Sequence, residues 1–279
     1  MNAVEILKGK LGQNVLGGED SISGLIFTYT GQQAPSSLDN KVVYEIYTLS
    51  DIENLGITAA YDDAEAMSIY RDLIEFYRMA GEGTKLYLMG TEEKYGDIIS
   101  GDAIDILLNE SKGTVKQLAI TGYKKAQTGI FVNGLESEVY NNISTAQSKA
   151  NKAFEEGRPL QIILSAIQVS DYRTLENFRD DDEDIYENIS ICIGGNLPAT
   201  LGTYEAPSTG TLLGTVALAS VNENVGKVEK YRIDDPLLSI NTEPAIGSLA
   251  IKSMADADLK VLGKKGDIFP IEYGDYVGV

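Results

Sequence analysis

The chain has 279 residues, 43% of them hydrophobic, with no histidine, no tryptophan and one cysteine, and its 42 acidic against 23 basic side chains give a formal charge of −19 at pH 7. That surplus repels nucleic acid and anionic membrane at long range, so neither is expected as a partner. Without imidazole or a second thiol the chain builds no disulfide, no thiolate zinc site and no triad or dyad running through histidine, which leaves carboxylates, lysines and tyrosines for any covalent chemistry.

The first ten residues carry Lys8 and Lys10 but lack the continuous apolar core and small-residue cleavage site of a signal peptide, and no apolar run approaches the roughly 20 residues that span a bilayer. The chain therefore reads as a soluble protein that folds in the cytoplasm. Residues 1–20, with Gly9, Gly12, Gly17 and Gly18, read as an N-terminal arm. Gly24-Leu25-Ile26-Phe27-Thr28-Tyr29 is a run of branched and aromatic residues closed by a turn-rich stretch over 32–40, the pattern of a buried strand leaving into a loop. A second strand is predicted over 41–47. Ser50 is placed to cap a short helix, with Glu53 three positions on as the return half of a capping box and Gly56 as its end.

Asp62-Asp63 then offers an N-cap for one long amphipathic helix, in which Met67, Tyr70, Leu73, Ile74 and Tyr77 recur at helical spacing until Gly81. Its apolar stripe needs a sheet to cover. Leu86-Tyr87-Leu88-Met89 supplies the next strand, and the pattern predicts a right-handed strand–helix–strand crossover. Downstream, strands are predicted over 115–121, 160–166 and 188–193, and a helix over 136–156. Between leucines and valines, residues 210–221 hold Gly214, Thr215, Ala217, Ala219 and Ser220, so a helix there can approach another backbone closely. After Gly226 the chain turns to short strands over 228–233, 246–252, 259–262 and 267–273, punctuated by Pro236, Pro244, Gly263 and Gly266. The expected fold is α/β, a mixed sheet flanked by helices with a β-rich C-terminal portion. Its expected layout is an arm over 1–20, a core over 21–226 and a β-rich segment over 227–279, in the same core or cut short.

No residue stands out as catalytic, cofactor-binding or metal-ligating. Asp180-Asp181-Asp182-Glu183-Asp184 gathers oxygen ligands of the kind calcium takes, but it lacks the alternation and central glycine of an EF-hand loop and reads as a solvated acidic loop. Gly81-Glu82-Gly83-Thr84-Lys85 follows a helix and precedes a strand, the reverse of the order in a phosphate cradle. Gly194-Gly195 reads as a turn, because no further glycine follows at the required offset and Pro198 intervenes. Cys192, inside Ile189-Ser190-Ile191-Cys192-Ile193, reads as a small hydrophobe in a buried strand. The sixteen tyrosines follow strand and helix faces at Tyr44, Tyr47, Tyr70 and Tyr77, which points to packing rather than stacking on a ligand.

Three segments carry a likeness. Ile22-Ser23-Gly24-Leu25-Ile26 is the first. The second runs from Ile46-Tyr47-Thr48-Leu49-Ser50-Asp51 through Leu55-Gly56-Ile57-Thr58 and Phe76-Tyr77-Arg78-Met79 to Leu86-Tyr87-Leu88-Met89. The third opens on Gly210-Thr211-Leu212-Leu213-Gly214 and continues through Val221-Asn222-Glu223-Asn224-Val225-Gly226 to Lys230. In this order they resemble the sheath family of contractile tails, the Mu-like prophage branch in particular, whose members run on past the segment resembling 268–279.

The resemblance implies a homo-oligomer that assembles helically around an inner tail tube protein, meets baseplate components and contracts by subunit rearrangement. It implies no cofactor and no covalent chemistry. It places the protein in the cytoplasm during assembly and then in a phage tail or phage-like contractile particle. Head-to-tail contacts that do not close make an open filament, and a terminal arm adding a strand to a neighbour's sheet makes a tether that survives rotation. Two other readings stand beside it: a cofactor-free α/β enzyme using carboxylates, which a cleft with a strongly perturbed carboxyl pair would favour, and a different scaffold protein of a virion or injection particle.

Overall fold

The computed structural model describes residues 22–122, 131–166, 186–192, 209–219, 269–270 and 276–278. The strands are β1 (Ser23–Thr28), β2 (Val43–Ile46), β3 (Leu86–Thr91), β4 (Gln117–Thr121), β5 (Phe131–Val132), β6 (Leu135–Glu136), β7 (Gln161–Ser165), β8 (Ile189–Cys192), β9 (Phe269–Pro270) and β10 (Tyr276–Gly278). The helices are α1 (Leu49–Asn54), α2 (Ala59–Glu65), α3 (Ile69–Ala80), α4 (Tyr95–Ser100), α5 (Ala103–Glu110), α6 (Ser137–Tyr140), α7 (Ile143–Glu155) and α8 (Thr209–Leu218). One sheet runs in the order β2-β3-β1-β4-β7-β8-β10-β9, while β5 and β6 form a separate small hairpin. The expected mixed sheet flanked by helices is what forms.

Side chains alternate across the central strands and divide the core in two. Ile26, Met89, Leu118, Ile120, Ile162, Leu164 and Ile191 pack with α4, α5, α6 and α7. Leu25, Phe27, Leu86, Leu88, Ala119, Ile163 and Cys192 pack with α1, α2, α3 and α8. The result is a three-layer sandwich. From β1 the chain reaches β3 with its helices on one face, then crosses back over β1 to β4 and β7 with helices on the other, so the successive parallel crossovers share one hand.

The expected crossover out of β2 is not there. Strand β2 pairs antiparallel with β3, Ile46 opposite Leu86 and Val43 opposite Met89, whereas the parallel partner of β3 is β1. Helices α1–α3 therefore leave and re-enter the sheet at the same end, where the Gly83 N–H donates to the Tyr47 carbonyl at 2.9 Å. A four-residue strand carries no mark of its own direction.

The cap of α1 is also displaced from Ser50. Thr48 is the N-cap, its hydroxyl accepting the Asp51 N–H at 3.3 Å while the Asp51 carboxylate accepts the N–H groups of Thr48 at 2.9 Å and Tyr47 at 3.0 Å. These bonds, that from Tyr47 foremost, hold the Asp51 carboxyl below its usual range. Replacing Thr48 by alanine is expected to lower unfolding stability by about 1 kcal/mol, read from a urea midpoint shift with unchanged slope.

The long helix from Asp62 is in fact two helices. Thr58 caps α2, and Ala66 at φ +55° sits in the left-handed region, turning the chain before α3 starts at Ile69. Asp62 is thus not a cap of its own helix but a buried residue in the middle of α2. The apolar stripe continues across the break through Met67, Leu73, Phe76 and Tyr77, all buried. The helix expected over 136–156 divides likewise into α6 and α7, and the stretch between β3 and β4, for which the sequence gives no element, holds α4 and α5. Of the strand predicted over 267–273, residues 269–270 form β9, and β10 pairs parallel with β8 and antiparallel with β9. The arm over 1–20, the acidic run 180–184, Gly194-Gly195 and the strands expected over 228–233, 246–252 and 259–262 lie outside the described residues.

Candidate functional site

Open parallel sheets hold ligands at the carboxyl ends of their strands, where the strand order reverses. Here the order reverses at β1, and the carboxyl ends of β1, β4 and β7 carry Thr28, Thr121 and Ser165, all buried. Each hydroxyl is spent inward. The Thr28 hydroxyl reaches the Glu93 carbonyl and lies 2.9 Å from that of Thr30. The Ser165 hydroxyl donates to the Ile120 carbonyl at 2.8 Å and meets the Thr209 hydroxyl at 2.6 Å. Between the strands stands Tyr95, whose hydroxyl accepts the Ser165 N–H at 2.9 Å. At the reversal point itself Gly122, with φ +115°, lies so close to β1 that a Cβ there would come within 2.4 Å of the Thr28 backbone.

The network continues into the helices on one face. Thr121 donates to Asp72 Oδ2 at 3.2 Å, and the opposite oxygen of Asp72 accepts the Gly210 N–H at 3.2 Å, so a carboxylate from α3 sits on the N-terminus of α8. The Arg71 Nη2 is 3.5 Å from Asp72 Oδ1. One turn further along α3, Glu75 accepts from the Thr211 hydroxyl at 3.1 Å and pairs with Arg78. Asp62, on α2, accepts the Arg71 N–H at 3.2 Å and so caps α3, whose own Ser68 makes no side-chain cap. Burial pushes the Asp62 carboxyl up to about 7, against the N–H groups of Arg71 and Tyr70. Burial also raises Asp72, opposed by Arg71, the Gly210 N–H and Thr121.

The two helices touch backbone to backbone. A Cβ on Gly210 would fall 1.7 Å from the Asp72 carbonyl oxygen, and one on Gly214 would fall 2.5 Å from that of Phe76. The close approach expected of a helix at 210–221 is present. Thr211 and Thr215 line the same seam, both fully buried. Chemically, the arrangement is a lock: Thr121 and Thr211 donate to Asp72 and Glu75, the Ser165 and Thr209 hydroxyls meet, and Asp62, Asp72, Thr121 and Ser165 have no more than 1% of their surface exposed.

Cys192 is buried in β8, as expected of a small hydrophobe. The hydroxyls of Tyr47 and Tyr70 donate to Glu45 and Glu53, that of Tyr44 accepts the Asp39 N–H, and Tyr77 is buried, so no stacking platform forms among them. Gly81 ends α3 at φ +88° and supplies the predicted stop. The buried network itself was missed, although a signal existed: Asp72 lies on the apolar stripe of α3, between Ile69 and Phe76 at helical spacing. Among the described residues no group of three or more Cys, Asp or Glu is placed to hold a metal ion, and no helix is long and apolar enough to cross a membrane.

No curated protein matches the chain. Among solved structures it is similar to the helical sheath of the anti-feeding prophage in its contracted state, at 12% identity and a TM-score of 0.48, over 98% of this chain and 66% of that one. It is also similar to a chain in the baseplate of the anti-feeding prophage, at 10% identity and a TM-score of 0.49, over 98% of this chain and 68% of the other. The chain thus spans about two thirds of the length of the solved chains it matches. The family model described as DUF2586, N-terminal domain, matches residues 3–279, nearly the whole sequence, and the chain belongs to that family.

Proposed function

We propose that the chain is a structural subunit of a contractile tail sheath, which assembles helically around an inner tube, meets baseplate components and shortens by rearrangement of its subunits. The observation that carries this reading is where the three sheath-like segments fall. They are separated by as much as 120 residues of sequence, yet β1 and β3 are neighbours in the sheet and α1, α3 and α8 cover one and the same face of it. A likeness scattered by chance has no reason to condense in this way. The enclosed hydroxyls at the carboxyl ends of the strands add support, since the usual ligand position is used for internal bonding.

The free side of β2 supplies a means of joining copies. Among the described residues β2 pairs with β3 alone, and Val42 and Tyr47 at its ends are 41% and 40% exposed. An open edge is a template for another strand. In this reading residues 1–20 form the arm, 21–226 the core and 227–279 a further β-rich part that returns to the core through β10. An enzyme acting through carboxylates remains a second reading, favoured by the raised Asp62 and Asp72. That pair lies in a helix seam rather than in a cleft, and neither carboxyl is exposed. Electron microscopy of the concentrated chain is expected to show rings or striated tubes. Monodisperse monomers by light scattering across all concentrations and salt conditions would defeat the sheath reading.

A further inference from the structure

We propose that Asn133 is a site of spontaneous covalent modification, where the side-chain amide closes onto the Gly134 nitrogen and the turn is converted to isoaspartate. Asn133-Gly134 is the one Asn-Gly pair in the sequence. It joins β5 to β6, and the two residues, at φ +45° and +81°, make the tight hairpin turn that this pair favours. The ladder pairs Val132 with Leu135 and Phe131 with Glu136, so the Gly134 N–H lies in the turn, outside the ladder. Every other asparagine among the described residues precedes a residue with a side chain, as Asn40 precedes Lys41 and Asn142 precedes Ile143. A Cβ at that position crowds the approach of the main-chain nitrogen to the carboxamide, whereas glycine leaves it open and lets the peptide plane rotate.

The place of the turn lets the reaction run in the folded chain. Asn133 is exposed at the tip, while Gly134 and Leu135 are buried, Leu135 in the core on the face of α4–α7. Strand β5 is two half-buried residues outside the main sheet, so it lifts locally while Leu135 keeps β6 in place. With the Gly134 N–H proton taken by hydroxide, the nitrogen attacks Asn133 Cγ. The N–Cγ bond forms, the Cγ–Nδ2 bond breaks, and Nδ2, which in the intact turn donates to the Tyr140 hydroxyl at 2.9 Å, leaves as ammonia with a proton from water. Water then opens the imide at either carbonyl, and nothing is oxidised or reduced. Opening at the main-chain carbonyl leaves isoaspartate, with one more backbone carbon in the turn and a new carboxylate at its tip.

Peptide mapping with electron-transfer fragmentation tests the assignment on the full chain, kept at mildly alkaline pH both folded and unfolded in urea. In the folded chain residue 133 is expected to lose its amide at least ~10-fold faster than any other described asparagine, with isoaspartate exceeding aspartate. Because the hairpin opens locally, the folded rate is expected to lie within ~10-fold of the unfolded one. Gly134→Ala is expected to slow the loss at 133 by ~10-fold or more, although alanine at a positive φ loosens the turn. Protection of residue 133 by ~100-fold or more on folding, conversion to aspartate without isoaspartate, or an undiminished rate in the variant overturns the proposal. Should the variant not fold, the unaltered chain compared with itself in urea decides alone.

Discussion

Gly210→Ala is expected to be among the most damaging single substitutions in this chain, lowering unfolding stability by about 3 kcal/mol or more in a urea titration. The added carbon would fall 1.7 Å from the Asp72 carbonyl oxygen, a main-chain atom inside α3 that no rotamer change can move. Relief requires α8 to rise off α3, which stretches the Gly210–Asp72, Thr211–Glu75 and Thr209–Ser165 bonds together. Against this, alanine in place of glycine returns only about 1 kcal/mol of helix propensity. Gly214→Ala, with 2.5 Å to the Phe76 carbonyl oxygen, is expected to cost less, because a smaller displacement restores contact distance. Two equally mild effects would mean that the helices are not in backbone contact.

Arg71→Met is expected to cost about 3–5 kcal/mol at pH 8. Methionine fills most of the buried volume but leaves the Asp72 carboxylate without the cation beside it. Asp72 is already raised by burial, and Arg71 is the foremost influence that lowers it, so the variant raises it further. A carboxyl raised in the folded state loses stability as pH climbs, and the variant therefore recovers part of its deficit on going from pH 8 to pH 5, the direction in which Asp72 takes up a proton. Thermal unfolding at the two pH values reads this directly. In Arg71→Met with Asp72→Asn the summed cost is expected to exceed the measured one, since the two residues contact each other.

How far this was legible in the sequence depends on whether an element writes its environment into local residues. Strands β1, β3, β4, β7 and β8 are buried on both faces, so each reads as a short apolar run between turns. Helix α3 shows its stripe, and the small residues from Gly214 onward, set among leucines and valines, announce a close approach. Ala66 adopts a left-handed conformation with nothing in its residue type to signal it, so two helices read as one. Helices α4 and α5 begin at Lys94 and Asp102 without side-chain caps and run for only six and eight residues, too short for periodicity to stand out. The polar lock escaped for another reason: Asp72 and Gly210 are 138 positions apart, and no pattern along the chain records which distant groups will share a proton or a hydrogen bond.

The return of α1–α3 to their point of departure divides the molecule into parts of unequal tolerance. Because the chain leaves the sheet after β2 and comes back beside it at β3, the excursion is closed at its base, and residues added to or taken from its surface turns shift no strand. The partner helix on the same face has no such freedom. Where two main chains lie in contact, evolution can redecorate the outer surface of the layer at will while the seam beneath admits hardly an atom.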